Sequence, residues 1–145
     1  MTMNSGAEVE LTERFADWSR SAGHQRFWGV GKTGGRLCLV LPTLDEGFRS
    51  IILADAGVLW LIDGYASEPL KNQQHRLGEA LTLSPGDALR DIAEWCLLLA
   101  WESLQAGEFG PAAQRAHVAA RIGHYTADGV LEERGTIIKD AALSQ

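Results

Sequence analysis

The sequence predicts an α+β fold built as a single domain over residues 1–145. We expect an N-terminal helix, an antiparallel meander of four to five strands, two helices packed on one face of the sheet, and a short C-terminal hairpin or tail. Three observations predict this order. A helical period occurs early in the chain, short apolar runs then alternate with glycine-containing turns, and the helical period returns after residue 84.

The N-terminal helix is predicted from a cap and an apolar stripe. Ser5 and Glu8 have the spacing of a capping box, in which each side chain binds a free backbone amide at the helix start. One apolar stripe follows at intervals of four, three and four residues: Leu11, Phe15, Trp18 and Ala22. Gly23 is a suitable residue to end this helix.

The meander is predicted from two turns that separate apolar or β-branched runs. Gly31–Gly35 and Asp55–Gly57 each lie between two such runs and indicate hairpins. The four expected strands are residues 26–30, 36–41, 48–54 and 58–63. We expect residues 64–78 to form a long loop, and Ala80–Leu83 is a candidate fifth strand.

The central helix has the clearest start signal in the chain. Ser84 can cap it, Pro85 suits the first helical position, and Asp87 places a carboxylate near the positive end of the helix dipole. The helix should extend to about Gln105, with Gly107 ending it.

The central helix carries apolar residues on two sides. We expect one broad face to pack on the sheet: Ala88, Leu89, Ile92, Trp95, Cys96, Leu99 and Ala100. Leu97, Leu98 and Trp101 fall instead among acidic residues on the opposite side. With Glu94 and Gln105 beside them, these residues form a candidate partner interface, an apolar centre with a charged rim.

Two kinds of cover are open for this second apolar surface. The following helix or the C-terminal tail of the same chain could shield it, or a second molecule could. The second case predicts a non-enzymatic protein-binding or regulatory module, of the inhibitor, immunity, adaptor or mobile-element counter-defence type. Its partner would be another protein or a second copy in a homodimer.

An alternative function comes from the next helix, which Gly110-Pro111 opens and which should end near Gly123. Its polar stripe contains Gln114, His117, Arg121 and His124, with Tyr125 just beyond. Two imidazoles and a guanidinium could bind an anion or a small ligand, or act as acid and base in a small enzyme, where this helix meets the loop 64–78. The competing interpretation is a solvated face whose cations oppose the helix dipole. No carboxylate is spaced to orient either histidine.

The tail after residue 125 is predicted less specifically. Asp128-Gly129 indicates a turn. Val130–Glu133 and Thr136–Lys139 could form a hairpin around Gly135, or a short helix could replace the first of these strands.

Charge and composition disfavour several classes of function. The chain has 13 basic and 19 acidic residues, a net charge of −6, and no basic cluster, so nucleic-acid binding is not favoured. No spacing predicts a metal site, a cofactor or a catalytic residue. Cys38 and Cys96 lie in apolar runs and should be buried thiols. The longest apolar run, Trp95–Trp101, is too short to cross a membrane, and the N-terminus lacks a secretory pattern, so we expect a cytoplasmic protein.

Overall fold

The computed structural model describes residues 29–33, 36–55, 58–79 and 85–145. In these ranges the strands are β1 (Gly29–Thr33), β2 (Arg36–Val40), β3 (Phe48–Asp55), β4 (Val58–Tyr65) and β5 (Gln73–Glu79), and the helices are α1 (Pro85–Gln105), α2 (Phe109–Tyr125) and α3 (Gly129–Leu143). The predicted α+β class, with antiparallel strands followed by helices, is confirmed. The predicted N-terminal helix lies outside the described residues.

The strands form one sheet in the order β1-β2-β3-β4-β5. Thr33 lies opposite Arg36 in the antiparallel pair of β1 and β2, and Val40 lies opposite Ile51 in the pair of β2 and β3. Each strand is next to its sequence neighbour, because connections this short allow antiparallel pairing and no crossover. The pair of β4 and β5 contains a register shift between residues 59 and 60.

The prediction of one long loop over residues 64–78 is wrong. Only a short segment there is irregular, with one turn of 3₁₀ helix at Pro69–Lys71, and β5 begins at Gln73. The strand sequence is polar, and the side chains of Gln73, Gln74 and Arg76 are exposed. Its conformation comes from backbone pairing with β4, which no hydrophobic pattern reveals. The candidate strand at residues 80–83 lies outside the described residues.

The chain divides into two compact units, which are described separately. The first comprises residues 1–41 and 49–88 and contains the strands. Its described core includes Cys38, Ile51 and Leu53, with Val40 and Ile62 packed against them. Cys38 is buried as predicted, and the same holds for Cys96 of the other unit; neither forms a disulfide.

The second unit comprises residues 42–48 and 89–145, and its helices are joined by short connections. The first helix ends at Gln105, where the sequence predicts, and Gly107 follows in the left-handed region at φ 77°. None of the described helices combines the length and the hydropathy that a membrane span requires.

Helices α2 and α3 approach each other closely through glycine. A Cβ atom placed on Gly135 would lie 2.7 Å from the amide nitrogen of Ala120 and 2.8 Å from the carbonyl oxygen of Ala116. A Cβ on Gly123 would collide with the amide of Glu132. Because these contacts involve backbone atoms, which cannot move aside, both positions of the helix pair require glycine.

The predicted C-terminal hairpin or tail is wrong, since residues 129–143 form the helix α3, which includes the alternative short helix at Val130–Glu133. Asp128 is its N-cap, and the carboxylate accepts a hydrogen bond from the Leu131 amide at 3.2 Å. An Asp-Gly pair is typical of both a turn and a helix start, and the packing of Gly135 against α2 favours the helix.

The loop 42–48 is bound to α2 by a buried glutamine. Gln114 Oε1 accepts hydrogen bonds from the amides of Leu44 at 2.9 Å and Asp45 at 3.3 Å. The sequence places Gln114 on a polar, solvated stripe, but its side chain is buried. The Gln114 side chain therefore has a structural role in this unit, because its oxygen accepts hydrogen bonds from two backbone amides of a loop.

Candidate functional site

The exposed face of α1 contains most of the predicted interface residues. Leu98 is 48% exposed and Trp101 is 52% exposed. Glu94 and Gln105 are exposed as well. These four residues follow one another at intervals of four, three and four, so they form one stripe along the helix.

Leu97 is not part of that stripe, because its side chain is only 2% exposed. It lies seven residues before Leu104, and residues seven apart share a helix face. Leu104 packs against buried alanines of the following helices: Ala112, Ala113 and Ala142. In a helical projection Leu97 falls among acidic residues, but α1 has a second buried side at this position. Neighbouring helices of the same unit pack on that side.

For Trp95 the sequence-based assignment is wrong in the opposite sense. The sequence assigns it to the buried face, yet it is 36% exposed, whereas its neighbour Cys96 is fully buried. Buried residues of α1 cover a broad arc that includes Leu89 and Cys96, and Trp95 lies at one edge of it. The exposed stripe is therefore flanked by a second tryptophan.

Carboxylates surround these apolar side chains. Asp91, Glu94 and Glu102 are all exposed on the same side of α1. The Glu94 carboxylate is contacted by Arg134 of α3, with Nη1 at 3.2 Å and 3.4 Å from its two oxygens. The negative charge of this face is thus compensated in part by one arginine.

The ion pair also shows that the apolar surface continues onto α3. Ile137, three residues after Arg134, is 59% exposed, and Leu98 lies four residues after Glu94. Since residues three or four apart share a helix face, Leu98 and Ile137 project on the side marked by the ion pair. We call the surface formed by Trp95, Leu98, Trp101 and Ile137 the apolar face. Sequence reasoning missed Ile137 because it assigned Thr136–Lys139 to a hairpin strand instead of a helix.

Three of the four predicted residues of the alternative site on α2 are in contact: the ring of His124 lies edge-on to that of Tyr125, with 5.4 Å between the ring centres, and Tyr125 contacts Arg121. At the C-terminal end, His124 Nδ1 lies 3.0 Å from Glu132 Oε2 of α3. The sequence offers no carboxylate at a spacing that orients a histidine, and this one comes from the next helix. Both side chains are about half exposed, so the contact is a surface interaction.

Arg121 is oriented by Tyr125. Its Nη2 donates a hydrogen bond to the Tyr125 hydroxyl at 2.9 Å, and its guanidinium carbon lies 4.8 Å from the centre of the tyrosine ring. Stacking and hydrogen bonding together restrict a side chain that otherwise has many rotamers. The Arg121 guanidinium therefore has a defined position at the end of α2.

Among the residues of the alternative site, His117 has a polar atom whose hydrogen-bonding capacity is not met. Its Nδ1 is buried and has no hydrogen-bond partner among the described residues. Burial lowers the pKa of His117 below its usual 6.5, and the positive charges of Lys139 and Arg121 lower it further. The neutral form of the His117 imidazole is therefore favoured, with cations on its own helix and on α3 acting on it.

The described residues contain no group of three or more His, Cys, Asp or Glu side chains placed to share a metal ion. No family model, no curated protein and no solved structure matches the chain.

Proposed function

We propose that this protein is a non-enzymatic binding module whose apolar face docks a basic, amphipathic segment of another protein. The observation that supports the proposal is the exposure of Leu98 and Trp101, 48% and 52%, in the middle of an acidic helix face. An inhibitor, an immunity protein, an adaptor or a counter-defence protein would each act through a surface of this kind.

The size of the exposed group makes docking favourable. A tryptophan buries roughly 200 Å², so the exposed half of Trp101 presents about 100 Å². At about 25 cal/mol per Å², covering it contributes about 2.5 kcal/mol before any other contact is made. Leu98 and Ile137 add apolar area beside it, as in the central residues of protein interfaces.

The charges of the rim select the partner. Asp91, Glu94 and Glu102 surround the apolar centre, and Arg134 offsets only one of them. Two copies of this face brought together would place carboxylates against carboxylates, which opposes a homodimer. A helix with lysine or arginine beside its own apolar stripe would meet complementary charge and would associate faster at low salt.

The proposal is tested with two synthetic helical peptides of equal length, one of leucine and lysine and one of leucine and glutamate. Fluorescence anisotropy should show saturable binding of the lysine peptide, weakening with added salt, and no binding of the glutamate peptide. Equal binding of both peptides, or of neither, contradicts the proposal.

Trp101→Glu should weaken binding of the lysine peptide by about tenfold or more. Leu70→Glu is the matched control, because Leu70 is fully exposed, lies in the other unit and receives the same new charge. Light scattering is measured in parallel. A dimer that Trp101→Glu dissociates and Leu70→Glu does not would assign the apolar face to a second copy and overturn the heterologous partner.

A further inference from the structure

One flank of the α2–α3 pair collects basic side chains from both helices. Gly135 contacts the backbone of Ala116 and Ala120, whereas Ala142 packs with alanines 112 and 113 nearer the start of α2. Lys139 lies between Gly135 and Ala142 on α3. Along the axis of the helix pair, Lys139 is therefore at about the same height as His117 of α2. The influence of Lys139 and Arg121 on the His117 imidazole agrees with this arrangement.

These cations are not neutralised within the described part of the chain. Neither Arg121 nor Lys139 forms an ion pair there, and the known partner of Arg121 is the neutral Tyr125 hydroxyl. The acidic residues of α3 are Glu132, Glu133 and Asp140. Glu132 is bound to His124, and the side chains of Glu133 and Asp140 are exposed.

We propose that His117, Arg121 and Lys139 form a binding site for a tetrahedral oxyanion of the sulfate and phosphate class. The guanidinium supplies planar donors in a fixed direction, since Tyr125 holds it in place. The lysine supplies a mobile point charge from the opposite helix. The imidazole of His117 adds a further positive charge on the same helix as Arg121 once it carries a proton.

The site has a defined pH dependence. The groups acting on His117 are Arg121 from α2 and Lys139 from α3, both positive, and with burial they hold its pKa below 6.5. A bound dianion reverses the sign of the local charge and favours the imidazolium form. By linkage, anion binding raises the pKa of His117, and affinity increases as the pH falls through the range between the bound and free pKa values.

Sodium sulfate is the probe, because sulfate stays a dianion across this range, and sodium chloride at equal ionic strength is the reference. The imidazole resonances of His117 are followed by NMR in the full-length chain. The expected result is a saturable shift with sulfate, absent with chloride, together with a higher His117 pKa at saturation. Shifts that are the same in both salts overturn the proposal and indicate screening only.

Lys139→Gln and Arg121→Gln should each weaken sulfate binding by about tenfold, as expected for a charge-assisted hydrogen bond. Lys71→Gln is the matched control, because Lys71 is an exposed lysine of the other unit. His117→Gln should keep part of the affinity and lose its pH dependence. Equal binding by Lys139→Gln and Lys71→Gln overturns the proposal without affecting the proposed function.

Phenyl phosphate, compared with inorganic phosphate at one pH, distinguishes the form of the ligand. Tighter binding of the ester indicates a phosphorylated molecule, whereas tighter binding of inorganic phosphate indicates the free ion. Saturation by neither compound, when sulfate also fails to saturate, excludes the site.

Discussion

Arg134 of α3 contacts both carboxylate oxygens of Glu94 of α1, and the two side chains are about half exposed. The contact joins two helices that are separated in sequence by the whole of α2. Because Leu98 and Ile137 lie about one helical turn after Glu94 and Arg134, we place the ion pair at the boundary between the charged rim and the apolar centre of the proposed docking surface.

The first prediction concerns the stability that this ion pair provides. A double-mutant cycle of Glu94→Gln and Arg134→Gln, measured by urea denaturation, should give a coupling free energy of about 0.2–1 kcal/mol, because water and salt screen the charges of an exposed pair. The coupling should decrease in high salt. A coupling well above this range would mean that the pair is buried in solution by an additional contact.

The second prediction concerns the contact of Gly135 with α2. Gly135→Ala places a Cβ atom against backbone atoms of Ala116 and Ala120, and we expect a loss of about 1–3 kcal/mol in the free energy of unfolding, despite the higher helix propensity of alanine. Gly129→Ala is the control in the same helix, because the added methyl group meets nothing within 4 Å. It should be neutral or stabilising by less than about 1 kcal/mol. Equal effects of the two variants would show that the helices are farther apart.

The sequence predicted α1 accurately. For α3 it left open only a short helix at Val130–Glu133, as the alternative to a hairpin strand, and the reason for this difference is the source of each signal. Ser84, Pro85 and Gly107 act locally on the helix ends, so they can be recognised without tertiary information. In α3 the local signals conflict, since Asp128-Gly129 suits a turn and Gly135 has a low helix propensity. The decisive contact of Gly135 is with residues of another helix.

The same difference between local signals and tertiary contacts applies to the residues of the candidate sites. Leu98 and Trp101 could be assigned to an exposed stripe from spacing alone, whereas the burial of Leu97 depends on the side of α1 shared with Leu104. Arg121 and Tyr125 are four residues apart on one helix, so their contact is local in sequence. Glu132, which contacts His124, comes from a segment for which the sequence left a strand and a helix open.

The third prediction concerns Gln114 and the loop that it binds. Gln114→Ala removes the acceptor of two backbone amides, and we expect a loss of about 1–3 kcal/mol in the free energy of unfolding. The amides of Leu44 and Asp45 should also exchange with solvent faster, as measured by hydrogen exchange. Gln105→Ala on the exposed side of α1 should change neither quantity. Unchanged exchange in Gln114→Ala would contradict the assigned contacts.

The fourth prediction concerns the pH dependence of stability in buffers without sulfate or phosphate. The folded state holds the pKa of His117 below its unfolded value of 6.5, so between these two values the unfolded chain binds more protons. The free energy of unfolding should therefore fall as the pH is lowered through 6.5. It should become constant again, as far as this group is concerned, below the folded pKa.

Thermal denaturation of His117→Gln and of the wild-type chain, at a series of pH values, checks this result. The contribution of His117 is the difference in stability between the wild type and His117→Gln at each pH. This difference should decrease towards low pH, or change sign so that the variant becomes the more stable protein. His124→Gln serves as a control for the loss of a histidine at an exposed position. Parallel curves for the wild type and His117→Gln would mean that the imidazole is solvated.

The contacts of α2 differ greatly in the length of chain that they close. Gly123 and Glu132 are brought together by a three-residue connection, whereas Gln114 binds the amide of Leu44 from 70 positions away. Closing a short segment costs little chain entropy and proceeds quickly, while distant segments meet late. We therefore expect α2 and α3 to pack together early during refolding, and residues 42–48 to bind to α2 afterwards. Pulse-labelling of the amides would reveal this order.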